Sequence, residues 1–179
     1  MTGRRMKKWH ILIVDDQVEI INSLKRVLRD DEYRISEALD AVRATEIITV
    51  EKVDLIICDY KLGGANGMEL LQKVSSSHPE TITILITAHP DLNMAIEAIN
   101  KGSIYKFIIK PWDNEDMRVT VKRALQHKGL ITRNRELLNE IRKRDAMLDQ
   151  IEKEYPGLMS LKRDGNGNIV IEVEEEKHD

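Results

Sequence analysis

A single cysteine, Cys58, leaves no partner for a disulfide within the chain, which fits a reducing compartment. No apolar stretch approaches the roughly 18 residues needed to cross a bilayer. The basic N-terminus (Arg4, Arg5, Lys7, Lys8) is followed by an apolar run, Ile11 to Val14. That run is too short for a signal-peptide core and ends in two aspartates. A soluble, cytoplasmic protein with no membrane partner is expected. An excess of positive charge is also missing: the formal net charge is −3 and the pI is near 6.0, so bulk charge does not suggest a nucleic-acid binder. What the chain does have is 41% hydrophobic and 33% charged residues over 179 positions. The first is enough for a core. The second is high for a compact globule and predicts an elongated, solvated element besides it.

Five short apolar, β-branched runs recur: His10–Val14, Tyr33–Glu37, Val53–Cys58, Ile82–Ile86 and Ile104–Ile109. Each has the length of a buried strand. Helical periods lie between them, at Ile20, Ile21, Leu24, Val27 and Leu28, then at Ala41, Ala44, Ile47 and Ile48. Met68, Leu71 and Val74 repeat the pattern, as do Ala95, Ala98 and Ile99, and a fifth helix begins near Asp113 with Met117, Val121, Ala124 and Leu125. Strands alternating with helices of this length predict right-handed βαβ units around a parallel sheet. Residues 9–127 therefore read as an α/β, doubly wound (βα)5 domain, preceded by a tail over 1–8.

From His127 to Tyr155 there is no proline and only Gly129 among glycines. With His127 at heptad position a, Leu130, Leu137 and Ile151 fall at d, and Ile141, Leu148 and Tyr155 at a. Asn134 at a and Arg144 at d are polar exceptions. This pattern predicts a coiled-coil extension over 128–155, about 43 Å long at 1.5 Å per residue for the full run, and a homodimer through it. A single a-position Asn favours a parallel two-stranded register. Glu140 and Asp145 would repel across such a pair, so the competing reading is a lone helix folded back on its own domain. Tyr155-Pro156-Gly157 stops the helix. Leu158–Leu161 and Ile169–Val173 around a turn-rich loop read as a β-hairpin in a tail over 156–179.

In a doubly wound sheet, ligands bind outside the carboxyl ends of the strands. After the first strand come Asp15 and Asp16. The third strand ends at Asp59, the fourth at Thr87, and the fifth at Lys110-Pro111. Three carboxylates, a hydroxyl and an ammonium thus converge on one edge. Carboxylates crowded together repel unless a positive group joins them, and a hard divalent cation is a natural partner. A carboxylate also attacks phosphorus to give an aspartyl-phosphate. Taken singly, the Asp-Asp pair reads as a helix cap, Thr87 as a loop hydroxyl and Lys110 as a solvated charge. Only the joint pattern at strand ends one, three, four and five points to one site.

The motifs Ile-Val-Asp15-Asp16, Ile-Cys-Asp59, Ile-Thr87-Ala88 and Phe107-Ile-Ile-Lys110-Pro111 resemble the receiver family of two-component response regulators, over residues 9–127. The resemblance implies a flavodoxin-like sheet of order 2-1-3-4-5. It implies Asp59 as phosphoacceptor from a sensor histidine kinase. Asp16, Asp59 and the backbone carbonyl of Lys61 would bind Mg²⁺ (or Mn²⁺), with Asp15 helping through water. Thr87 and Lys110 would contact the phosphoryl group, Ala88 is the small residue beside it, and Phe107 is the aromatic that changes rotamer with Thr87. The family's Lys110–Pro111 bond is cis. Gly63 stands where the family usually has proline, and with Gly64 beside it the loop after Asp59 is expected to be softened. Gly67 occupies the later turn position. The stretch from Ala98 to Trp112 is similar to receivers found ahead of HD-type cyclic-dinucleotide phosphodiesterases and of hydrogenase regulators.

The expected role is a signalling switch with no enzymatic output, feeding an unidentified downstream protein. One alternative is a DNA-binding regulator acting through the C-terminal extension; the residues after Tyr155 are few and acidic, which speaks against it. Another is a receiver belonging to a larger output enzyme, against which the acidic terminus argues. A partial calcium-loop match at Asp164–Glu175 has Ile169 where glycine is needed, so a turn is favoured there. Cys58 reads as an inert core residue.

Overall fold

In a computed structural model the described residues are 8–30, 32–88 and 103–156. The strand β1 (Trp9–Val14) leads to helix α1 (Val18–Val27), then β2 (Tyr33–Ala38), α2 (Ala41–Val50) and β3 (Leu55–Asp59). Two short strands, β4 (Lys61–Leu62) and β5 (Ala65–Asn66), precede α3 (Gly67–Ser77). After β6 (Ile82–Thr87) and β7 (Lys106–Ile109) comes one helix, α4 (Asn114–Glu154). The helix expected around Ala95–Ile99, the residues 1–7 and the tail hairpin lie outside the described residues.

The main sheet has five parallel strands in the order β2-β1-β3-β6-β7, the doubly wound order expected, with β6 and β7 as the fourth and fifth long strands. Side chains alternate across a pleated strand, so a strand buried on both sides feeds two cores. In β1, Leu12 and Val14 join one core with residues of α2 and α3, whereas Ile11 and Ile13 join the other with residues of α1 and α4. In β1, β3 and β6 the apolar runs are continuous because both faces are covered, whereas the edge strands β2 and β7 are only partly buried.

Helix starts follow local chemistry. Asp40 accepts a hydrogen bond from the Arg43 N–H at 2.7 Å and caps α2, and Asn66 accepts from the Met68 N–H at 2.9 Å and caps α3. Asp113 accepts from the N–H groups of Glu115 and Asp116 at the start of α4.

The chain divides into two units, Met1–Thr132 and Arg133–Asp179, and the boundary falls within α4. In the first unit, Met117, Thr120, Val121, Ala124, Leu125 and Lys128 form the buried stripe of that helix. In the second unit, no described residue is buried, and Leu137, Leu138, Ile141, Met147 and Leu148 are all exposed.

Lys128 is 1% exposed, with its Nζ donating to the Glu80 carbonyl and lying 3.8 Å from the Glu80 carboxylate. A buried ammonium gives less net stability than its contacts suggest, because desolvation offsets them. Lys128→Ala, which removes the packed stem as well, is expected to cost about 3 kcal/mol. Lys128→Met keeps the volume without the charge and should cost less than about 1 kcal/mol. Urea unfolding of both variants checks this, and equal losses would show that the charged contact, not the stem, carries the stability.

Candidate functional site

The site lies where β1, β3, β6 and β7 end. Val14 is paired with Cys58 in the sheet, so the next residues, Asp15 and Asp59, leave adjacent strands side by side. Asp59 pairs with Ile86, one residue before Thr87, and Thr87 pairs with Ile109, one residue before Lys110. Parallel register alone therefore brings Asp59, Thr87 and Lys110, 44 to 95 positions after Asp15, to the same edge as Asp15.

Lys110 is the centre of the arrangement. Its Nζ lies 2.8 Å from Asp15 Oδ2 and 2.8 Å from Asp59 Oδ1. Burial by itself would lower the ammonium pKa, but the hydrogen bonds and charges of Asp15 and Asp59 outweigh it, so Lys110 is held above its ordinary value. Asp15 is 1% exposed, and burial pushes its carboxyl up, against the opposing pull of Lys110 and of the Gln17 N–H. The pair Asp15-Asp16 does not cap α1: its N-cap is Gln17, with no side-chain cap. The Lys110–Pro111 peptide bond is cis.

The segment after Asp59 is a short hairpin. Lys61–Leu62 and Ala65–Asn66 pair antiparallel, with Gly63 and Gly64 as the two turn residues at φ +53° and +108°. Two positive φ values in a two-residue turn match the twist of the flanking strands, and glycine adopts them without strain. Leu62, 2% exposed, pins the hairpin into the core. Thus the adjacent glycines define the turn of a hairpin. The hairpin supplies two donors to the site: the Lys61 N–H to Asp59 Oδ2 at 2.9 Å, and the Gly63 N–H to Asp16 Oδ2 at 3.0 Å. Reading side chains along the sequence missed both donors; the Gly63-Gly64 pair was the available signal.

Thr87 is buried at the end of β6, and its carbonyl accepts from the Lys110 N–H at 2.8 Å. Ala88 follows it and is exposed. Phe107 is half-buried against the core shared by α2 and α3. The structure brings Asp15, Asp59 and Lys110 into direct contact and links Asp16 and Asp59 through the hairpin. Cys58 is fully buried, with its thiol pushed up by burial, as an inert core residue would be.

The donors here are hard oxygens, which suit Mg²⁺ or Mn²⁺ and not a soft metal. Among the described residues, no three His, Cys, Asp or Glu side chains stand together as a ready-made ligand set. A cation of the Mg²⁺ kind takes one or two carboxylates and completes its shell with water and phosphate oxygens. No helix among the described residues is long and apolar enough to cross a membrane.

The family model described as "Response regulator receiver domain" matches residues 11–122. The hydrogenase transcriptional regulatory protein HoxA of Cupriavidus necator is 32% identical over 124 residues, 69% of this chain and 26% of that protein. The alginate biosynthesis transcriptional regulatory protein AlgB of Pseudomonas putida is 28% identical over 161 residues, 90% of this chain and 35% of its own length. This chain therefore spans only about a quarter to a third of these curated relatives. Among solved structures, the signal receiver domain of an HD domain-containing protein from Pseudomonas fluorescens superposes with a TM-score of 0.67 at 32% identity, covering 74% of this chain and 97% of that one.

Proposed function

The chain belongs to the response regulator receiver domain family, and on that premise we propose that it is a phosphorelay switch in which Asp59 accepts a phosphoryl group from the phosphohistidine of a sensor kinase. The observation that carries this reading is the single Lys110 ammonium held 2.8 Å from both Asp15 and Asp59. A carboxylate oxygen of Asp59 forms the new P–O bond as the P–N bond to the kinase histidine breaks, its electron pair leaving with the imidazole. Lys110 then offsets charge on the phosphoryl oxygens, and the Thr87 hydroxyl donates to one of them. Asp15, buried beside Lys110, holds the ammonium in place. The small, exposed Ala88 leaves room beside the transferred group. Asp16, Asp59 and the Lys61 carbonyl would hold Mg²⁺ (or Mn²⁺), with Asp15 assisting through water, and the bound ion would neutralise phosphoryl charge.

The added charge biases a pre-existing equilibrium in which Thr87 and Phe107 move together. The output is a change of protein contacts, with no enzymatic step beyond self-phosphorylation and autodephosphorylation. The exposed Leu130, Leu137, Ile141 and Leu148 support a homodimer through α4, because a second copy of the helix would bury them at heptad spacing.

Incubation with acetyl phosphate and Mg²⁺ should attach one phosphoryl group per wild-type chain, labile to hydroxylamine as an acyl phosphate is. Asp59→Asn should take up none. Equal labelling of the two would overturn the assignment, and sizing of the same samples reports whether the dimer fraction follows phosphorylation.

A second reading is favoured by the relatives, two of which are named transcriptional regulatory proteins and extend well beyond the matched part. In it the same switch governs DNA binding by segments other than the receiver. DNA affinity that falls with salt in proportion to phosphate contacts would support it.

A further inference from the structure

We propose that Gly63 is a positioning residue for the cation, its backbone N–H holding Asp16 ready through the turn of the β4–β5 hairpin. Asp16 is exposed, and an exposed aspartate on a short stem samples several rotamers in water. Here its Oδ2 accepts from the Gly63 N–H at 3.0 Å, and its Oδ1 has no hydrogen bond among the described residues. One oxygen is thus fixed and the other remains available. Gly63, which carries this donor, is at φ +53°, a conformation an ordinary side chain enters with strain and proline cannot enter at all.

The hairpin that carries this donor is anchored at both ends. Leu62 is buried in the core, and the Gly67 N–H donates to the Tyr60 carbonyl at 2.8 Å. Its other arm gives the Lys61 N–H to Asp59 Oδ2. One rigid element therefore sets two carboxylates that leave different strands, and their relative placement does not depend on the cation arriving first. Preorganisation of this kind raises affinity by removing the cost of ordering the ligand. The inference rests on the reading that Asp16 and Asp59 hold a divalent cation.

Calorimetric Mg²⁺ titration of the full chain tests it. Gly63→Asn keeps the N–H and tolerates positive φ, so its affinity should stay within about twofold of wild type. Gly63→Pro has no N–H and should bind about fivefold more weakly. In an Asp16→Ala background, already weakened, Gly63→Pro should add nothing. An unchanged affinity in Gly63→Pro, or a fivefold loss that persists without Asp16, overturns the inference while leaving the cation site standing. A wild type that binds no Mg²⁺ overturns both. Hydrogen exchange of the Gly63 amide needs no proline variant: it should quicken in metal-free Asp16→Ala, and an unchanged rate counts against the proposal even where Gly63→Pro fails to fold.

Discussion

Gly67→Ala is expected to destabilise the protein by about 3 kcal/mol or more, at the upper end of what overpacking a core does. A Cβ on Gly67 would stand 1.9 Å from the Asp59 carbonyl oxygen and 2.9 Å from Cys58 Sγ. The first is a backbone atom at the end of β3, so it has no rotamer in which to escape. Either the first turn of α3 or the end of β3 must shift. A shift of α3 breaks the Gly67 N–H to Tyr60 carbonyl bond, and a shift of β3 displaces Asp59 from Lys110. Alanine at the neighbouring Gly64, which has open space around its Cβ position, faces only the strain of its positive φ, about 1–2 kcal/mol. Urea midpoints rank the two variants, and a Gly67→Ala protein as stable as wild type would show that the close approach relaxes at little cost.

Lys110→Met should cost about 3–5 kcal/mol at neutral pH, because it leaves the buried Asp15 carboxylate unpaired. The loss depends on pH in a direction that the site dictates. Burial already raises the folded pKa of Asp15, and removing the ammonium that opposes this raises it further. A carboxyl with a folded pKa above its unfolded value of about 3.9 contributes stability below that value, which is lost as pH rises through the folded pKa. The deficit of Lys110→Met should therefore be largest at neutral pH and shrink on acidification. Wild type shows the Asp15 trend more weakly, because Lys110 opposes the rise; Lys110 is itself raised, so its own contribution persists to about pH 10.4 and fades only as pH climbs through its folded value. Unfolding curves at neutral and mildly acidic pH separate the two proteins. A deficit of the same size at both would remove Asp15 as its cause. Adding Asp15→Asn to Lys110→Met should restore part of the stability, since the unpaired charge is then gone.

Much of this was legible in the sequence. The five runs became the five strands of the main sheet, within about two residues at each end; the three central ones are apolar throughout because they are buried on both faces. Asp15, Asp59, Thr87 and Lys110 stood out because each follows such a run, and parallel strands deliver their carboxyl ends to one edge. The Gly63-Gly64 pair was read for its mobility and not as a hairpin turn. Two glycines in a row suggest mobility, but Gly-Gly is also a turn pair for a two-residue hairpin, and burial of Leu62 decides for the turn. Lys128 gave no signal either. A lysine in a charged helix reads as solvated until neighbours close over it.

The cluster at the strand ends shows the division most plainly. By itself the sequence determined which side chains stand at the strand ends, since the apolar runs and their ends are encoded in local pattern, and the family resemblance supplied the strand order. Only the tertiary structure decided how the charges are balanced. One ammonium is shared by Asp15 and Asp59, and backbone N–H groups of a hairpin serve Asp16 and Asp59. The physical reason is that every residue but proline carries the same N–H, so its identity says nothing of where that donor points. Its direction depends on φ and on the anchoring of the turn, which are settled when the chain packs.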